Sequence, residues 1–180
     1  MNKHLARIAD FLATLGCRAD LTDQNDALLV QYPLEHPGQT LPFFLEVDEV
    51  AVDQFALHVE VTFPQPLPPG RDDLNVYALT YANLANREME LARCFVVPDY
   101  GDQALPEDDE VDPGSLPSPL EFELTVEANF FLAGLKQTHF KLMSLHLEAF
   151  VDDALLASAN FADIFETDED GPEDSSDREE

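Results

Sequence analysis

Five histidines stand at positions 4, 36, 58, 139 and 146, and two cysteines at 17 and 94. These are the side chains that could ligate a transition metal or serve as nucleophile and base. His139 and His146 lie seven apart, close enough to share a helix face. One carboxylate more would be needed for a credible zinc centre, so the two read as solvated or core-edge histidines. Cys17 and Cys94 lack metal-knuckle spacing and are too few for a disulfide framework, so they read as reduced, structural residues. No glycine-rich phosphate loop and no nucleophile elbow occurs.

The remaining chemistry belongs to carboxylates. Asp168-Glu169-Asp170-Gly171 places glycine fourth, whereas a calcium-binding EF-hand loop needs it sixth with a glutamate twelfth. Asp108-Asp109-Glu110-Val111-Asp112 contains no turn glycine. Paired carboxylates for glycoside hydrolysis need a cleft with aromatic walls, and the chain has no tryptophan. The expectation is a protein that is not an enzyme, with no catalytic residues, no bound metal and no cofactor.

Charge constrains the partners. The 180 residues carry 37 acidic and 9 basic side chains, a net charge of −28. Nucleic-acid affinity comes from Lys and Arg displacing counterions from phosphates, so direct binding to DNA or RNA is excluded. An anionic membrane surface is disfavoured for the same reason. Seven acids and no base lie between 99 and 119, and nine acids with one Arg follow from Glu166. Fifteen of the 28 negative charges therefore sit in that connection and the tail, leaving thirteen on the remaining body. No apolar run approaches a membrane span, and Asp10 interrupts the apolar stretch at the N-terminus, so a cytoplasmic protein is expected.

The elements that must carry this charge follow from periodicity. Leu5, Ile8, Leu12 and Leu15 recur at helical spacing, with Gly16 as the stop. Ala27 to Tyr32 reads as a strand. Phe43, Leu45 and Val47 alternate with Phe44, Glu46 and Asp48. Phe55, Leu57, Val59, Val61 and Phe63 alternate with Ala56, His58, Glu60 and Thr62. Pro64-Gln65-Pro66-Leu67-Pro68-Pro69-Gly70 is expected to break regular structure as a stiff exit from the sheet, a polyproline ligand being the other reading. A helix capped by Asp72 or Asp73 then carries Leu74, Tyr77, Ala78, Tyr81, Leu84 and Ala85 down to about Glu90. A fourth strand has Ala92, Cys94 and Val96 on one face and Leu91, Arg93, Phe95 and Val97 on the other. In the fifth, Leu120, Phe122, Leu124 and Val126 alternate with Glu121, Glu123, Thr125 and Glu127, the pattern of an antiparallel sheet solvated on one side.

The last helix, from about Lys136 to Ala157, has one stripe of Phe140, Met143, Leu147, Phe150 and Ala154. A second stripe holds Leu142, Leu145, Ala149 and Leu156. One stripe can cover the sheet, and the other suits a subunit interface or the first helix. The fold class is α+β, an antiparallel sheet of about five strands flanked by three helices in the order α-β-β-β-α-β-β-α. Residues 1–165 form one domain, with the acidic irregular loop 99–119 inside it. Residues 166–180 are a disordered acidic tail, having no apolar surface to offset their ordering entropy.

This order in a small acidic chain resembles the fold of the type III secretion chaperones, and the local sequence resembles the YbjN-like family. Two segments carry the likeness. Leu74-Asn75-Val76-Tyr77-Ala78-Leu79-Thr80-Tyr81-Ala82-Asn83-Leu84-Ala85-Asn86 runs into Ala92-Arg93-Cys94-Phe95-Val96-Val97. Glu127-Ala128-Asn129-Phe130-Phe131-Leu132-Ala133-Gly134-Leu135 runs into Leu147-Glu148-Ala149-Phe150-Val151-Asp152-Asp153-Ala154. The resemblance implies a homodimer that binds another polypeptide, in a family described as regulatory or stress-linked. It also points to Tyr77, Tyr81 and Leu84 for the subunit contact, packing of all three on the sheet being the other reading. An acidic surface favours a partner with a basic surface, of which DNA-binding proteins are an abundant class. An acidic nucleic-acid mimic that blocks a DNA-binding protein is the alternative, and a carboxylate- or metal-dependent enzyme ranks third.

Overall fold

The computed structural model describes residues 3–22, 26–68, 70–71, 73–101 and 119–165. Its elements are α1 (Lys3–Thr14), β1 (Arg18–Leu21), β2 (Ala27–Pro33), β3 (Thr40–Ala51), β4 (Gln54–Pro66), α2 (Leu74–Ala85), β5 (Arg93–Asp99), β6 (Glu121–Leu132) and α3 (Gln137–Asp163). The α+β expectation holds, with six strands in place of about five. The sheet runs β1-β2-β3-β4-β6-β5 with every neighbouring pair antiparallel. The acidic tail 166–180, expected to be disordered, and residues 102–118 of the acidic connection lie outside the described residues.

One face of the sheet is dry. Phe43, Leu45 and Val47 on β3, Phe55, Leu57, Val59 and Val61 on β4, and Phe122, Leu124 and Val126 on β6 are all buried. They share a single cluster with Leu5, Ile8 and Leu12 of α1, Leu74 and Ala78 of α2, and Met143, Leu147, Phe150 and Phe161 of α3. Three helices thus cover one face, and the period-two alternation of the strands turns their carboxylates to the other. Gly16 ends α1 with φ +81°, a left-handed conformation that a side chain resists. Gly134 enters α3 at φ +145°, where an added Cβ would stand 3.0 Å from the His139 ring.

The departures from expectation have local causes. β1 is Arg-Ala-Asp-Leu, whose alternation is too short and too polar to stand out, and it exists because β2 offers it an open edge. Pro64 and Pro66 do not break β4. They pair with Glu123 and Glu121 of β6, while pairing with β3 stops at Phe44 opposite Glu60. That stretch of β4 is an edge on its β3 side, where proline's missing N–H is harmless. α2 ends at Ala85 instead of near Glu90. Asp73 occupies the N-cap position but makes no capping bond, because Arg71 Nε donates to its carboxylate at 3.0 Å. Asp72 lies outside the described residues.

α2 contributes only Leu74 and Ala78 to the fully buried core, so polar bonds must help to hold it. Asp153, on α3 and only 8% exposed, accepts the backbone N–H groups of Leu91 at 3.0 Å and Ala92 at 2.9 Å, with Glu90 at 3.4 Å. Those residues form the connection between α2 and β5. Asn86 completes the tie: its Nδ2 donates to the Cys94 carbonyl at 2.8 Å and its Oδ1 accepts the Cys94 N–H at 2.7 Å. A side-chain amide thereby supplies both hydrogen bonds of a missing neighbour strand at one point of the β5 edge. Removing the carboxylate would leave buried donors without acceptors. Asp153→Ala is expected to lower stability by about 2–3 kcal/mol, read by urea unfolding.

Both cysteines are buried and free, and burial pushes each thiol up to about 11. Because the protonated thiol is the form favoured by folding, this contribution to stability is complete below pH 9 and is lost as pH rises towards 11. At pH 8 native protein should react very slowly with a thiol reagent, whereas urea should release both groups at once. Rapid native labelling of either would contradict the packing.

Candidate interaction surface

α2 reads Leu-Asn-Val-Tyr-Ala-Leu-Thr-Tyr-Ala-Asn-Leu-Ala, with apolar or aromatic residues around nearly its whole circumference. A helix of that composition wants cover on more than one side. Here one side rests on β5 and α3, and the other has none among the described residues. Val76 is 66% exposed, Tyr77 61%, Leu84 59% and Leu79 49%. Leu74, Tyr77, Thr80, Tyr81, Leu84 and Ile164 line a shallow, mainly apolar groove of about 380 Å³ along this side.

The three residues expected at a subunit contact divide. Tyr77 and Leu84 face outward. Tyr81 is half-buried, its hydroxyl donating to the Ala157 carbonyl of α3 at 2.8 Å and its ring centroid 5.3 Å from that of Phe161. Burial, reinforced by the negative potential of Cys94, Glu88 and Asp163, pushes the Tyr81 phenol up to about 12. Tyr81 therefore belongs first to the packing of α2 on α3 and only borders the groove. Val76 and Leu79 lie off the stripe read from the sequence; their signal is that α2 has too few polar positions to possess a solvated face.

The second stripe of α3 is also uncovered in part, with Leu142, Leu145 and Leu156 exposed while Phe140 stacks on Phe11 of α1 at 4.6 Å. His139 and His146 do not form a pair site. His139 Nδ1 accepts the Lys136 N–H at 3.3 Å at the start of α3, and the His146 ring stacks on Phe130 at 5.2 Å. Their roles are structural.

The uncovered face of the sheet is mixed. Glu46 and Asp48 of β3, Glu60 of β4 and Glu123 and Glu127 of β6 alternate in register with Phe44, Phe95, Val97 and Phe131. Thr62 and Thr125 meet across β4 and β6 at 3.2 Å between hydroxyl oxygens. Among the described residues, one set of potential metal ligands converges, namely His58, Glu60 and Glu127 on this face. Sequence spacing could not show it, because Glu127 is far away along the chain and only the β4–β6 register brings it to Glu60.

Among the described residues, no helix is long and apolar enough to cross a membrane. Comparison with protein-family models, with curated proteins and with solved structures gave no match.

Proposed function

We propose that this chain is a non-enzymatic, cytoplasmic protein-binding module that works as a homodimer and engages a partner with a basic surface. The observation that carries the reading is the uncovered apolar side of α2, where Val76, Tyr77, Leu79 and Leu84 stand in water on a chain of net charge −28. So charged a molecule needs no apolar helix face for solubility, and an apolar face of this kind marks an interaction site. Two copies related by a two-fold axis can cover it, each Tyr77 ridge seated in the other's groove between Tyr81 and Leu84. Tyrosine suits that place, having an apolar body and a hydroxyl that remains wet.

The partner's charge follows from the body of the fold. Carboxylates on β3, β4 and β6 share the uncovered sheet face with aromatic and aliphatic side chains. Complementary charge would accelerate encounter with a basic protein and reject acidic ones, while the apolar side chains would contribute affinity. A nucleic-acid mimic would present an unbroken anionic row. On β6, Glu123 and Glu127 are separated by Thr125 and bordered by Phe95, Val97 and Phe131, which favours the protein-binding reading. The likeness to YbjN-like proteins and secretion chaperones supports the same class of work.

Light scattering on the intact chain is expected to give twice the 20.1 kDa chain mass. Tyr77→Asp should give the single mass with unchanged circular dichroism, because Tyr77 contributes nothing to the core. A single mass for the unaltered chain, or a double mass for the variant, would refute the α2 contact. Tyr81→Phe should retain the dimer and lose about 1 kcal/mol of stability with its hydroxyl bond to α3. Partners captured from native extract should be predominantly basic and be released as salt rises from about 50 to 300 mM; uniformly acidic or salt-insensitive partners would refute that part.

A further inference from the structure

We propose that His58, Glu60 and Glu127 form a binding site for one divalent cation of the Zn²⁺ class on the uncovered face of the sheet. This inference rests on side-chain geometry and is independent of the dimer and its partner. His58 and Glu60 are two apart on β4 and so share a face. Glu127 stands directly opposite Glu60 on β6, and Asn129 stands opposite His58. One potential ligand atom from each of the three lies within 4.8 Å of the others. His58 Nε2 and Glu60 Oε2 are 3.5 Å apart, close to the separation of roughly 3.4 Å between two ligands held at about 2.1 Å from a tetrahedral ion.

The imidazole is oriented for this task. His58 Nδ1 lies 3.1 Å from Asn129 Oδ1, and in the tautomer that donates to this oxygen the lone pair is on Nε2, the atom that faces Glu60. Metal-ligating histidines are characteristically fixed in this way, the second nitrogen donating to an oxygen outside the first shell. Asn129 is thus a positioning residue.

Electrostatics point the same way. Two carboxylates directly opposed on neighbouring strands repel, and half-burial reduces their screening by water. Arg93 is opposite Glu127 on the β5 side but forms no ion pair with a described residue. A cation between Glu60 and Glu127 removes the repulsion, and the imidazole nitrogen favours a first-row transition ion over Mg²⁺ or Ca²⁺, which prefer oxygen. Three protein ligands leave one tetrahedral position for water.

Titration calorimetry of the intact chain with Zn²⁺ in 1 mM Mg²⁺ is the test, the Mg²⁺ occupying the weak carboxylate clusters elsewhere in the chain. The expected result is one Zn²⁺ per chain, weakened about tenfold or more in both His58→Ala and Glu127→Gln. Without metal, Glu127→Gln should unfold at the same or a higher temperature than the unaltered chain, since it removes repulsion while preserving shape. Zn²⁺ should raise the midpoint of the unaltered chain by more than that of the variant. Zn²⁺ binding of equal strength in Glu127→Gln, or Zn²⁺ binding that 1 mM Mg²⁺ abolishes, would overturn the site. Should His58→Ala fail to fold, the isosteric Glu127→Gln decides alone.

Discussion

The arrangement of this molecule depends on the Asp153 carboxylate. It projects from the middle of α3 into a buried position and accepts three consecutive backbone N–H groups between α2 and β5. A buried carboxylate is unfavourable unless its oxygens are well paired, and here the chain reversal supplies donors that would otherwise have no acceptor. The bond set ties three elements together. α3 positions the reversal, the reversal positions the first residues of β5, and β5 pairs with β6 in the register that runs from Arg93 opposite Glu127 to Asp99 opposite Glu121.

That tie also explains why α2 can leave its apolar side uncovered. A helix held only by apolar burial would roll until its largest side chains were dry. α2 is prevented from doing so by Tyr81 bonded to Ala157 on one flank, by Asn86 bonded to both backbone groups of Cys94 beyond its C-terminus, and by Asp153 beyond that. Directional hydrogen bonds set its rotation, and Val76, Tyr77, Leu79 and Leu84 remain outside as a result. A surface made in this way is pre-organised, so a partner that docks on it loses little conformational entropy in ordering it.

Much of the fold was legible along the chain because strands with one wet face announce themselves. The alternation of Phe55 to Phe63 and of Phe122 to Val126 identifies β4, β6 and their dry face, although Leu120, expected there, precedes β6 and is exposed, and Thr125, expected on the wet face, is buried. Leu5, Ile8 and Leu12 are buried as their spacing implies. β1 was missed because Arg18 to Leu21 pairs through backbone groups that any residue provides. Pro64 and Pro66 misled because the penalty for proline depends on which edge of a strand is occupied, a fact about neighbours. Tyr81 was grouped with Tyr77 and Leu84 by helical spacing, yet its hydroxyl finds the Ala157 carbonyl on α3.

The sequence by itself determined which face α1 and the long strands bury and where the charge lies. Burial follows from residue type at a period of 2 or 3.6, and charge is a sum over side chains. Only the tertiary structure decided which distant residues meet. Glu60 confronts Glu127 because β4 pairs with β6 and not with its chain neighbour β5, so that the connection across α2 inserts β6 between them. Asp153 reads as one more surface acid among 37 acidic residues until the crossing of α3 over the α2–β5 reversal places three N–H groups around it. Register and crossing are properties of pairs of elements set by the packing of the whole core, and no local pattern encodes them.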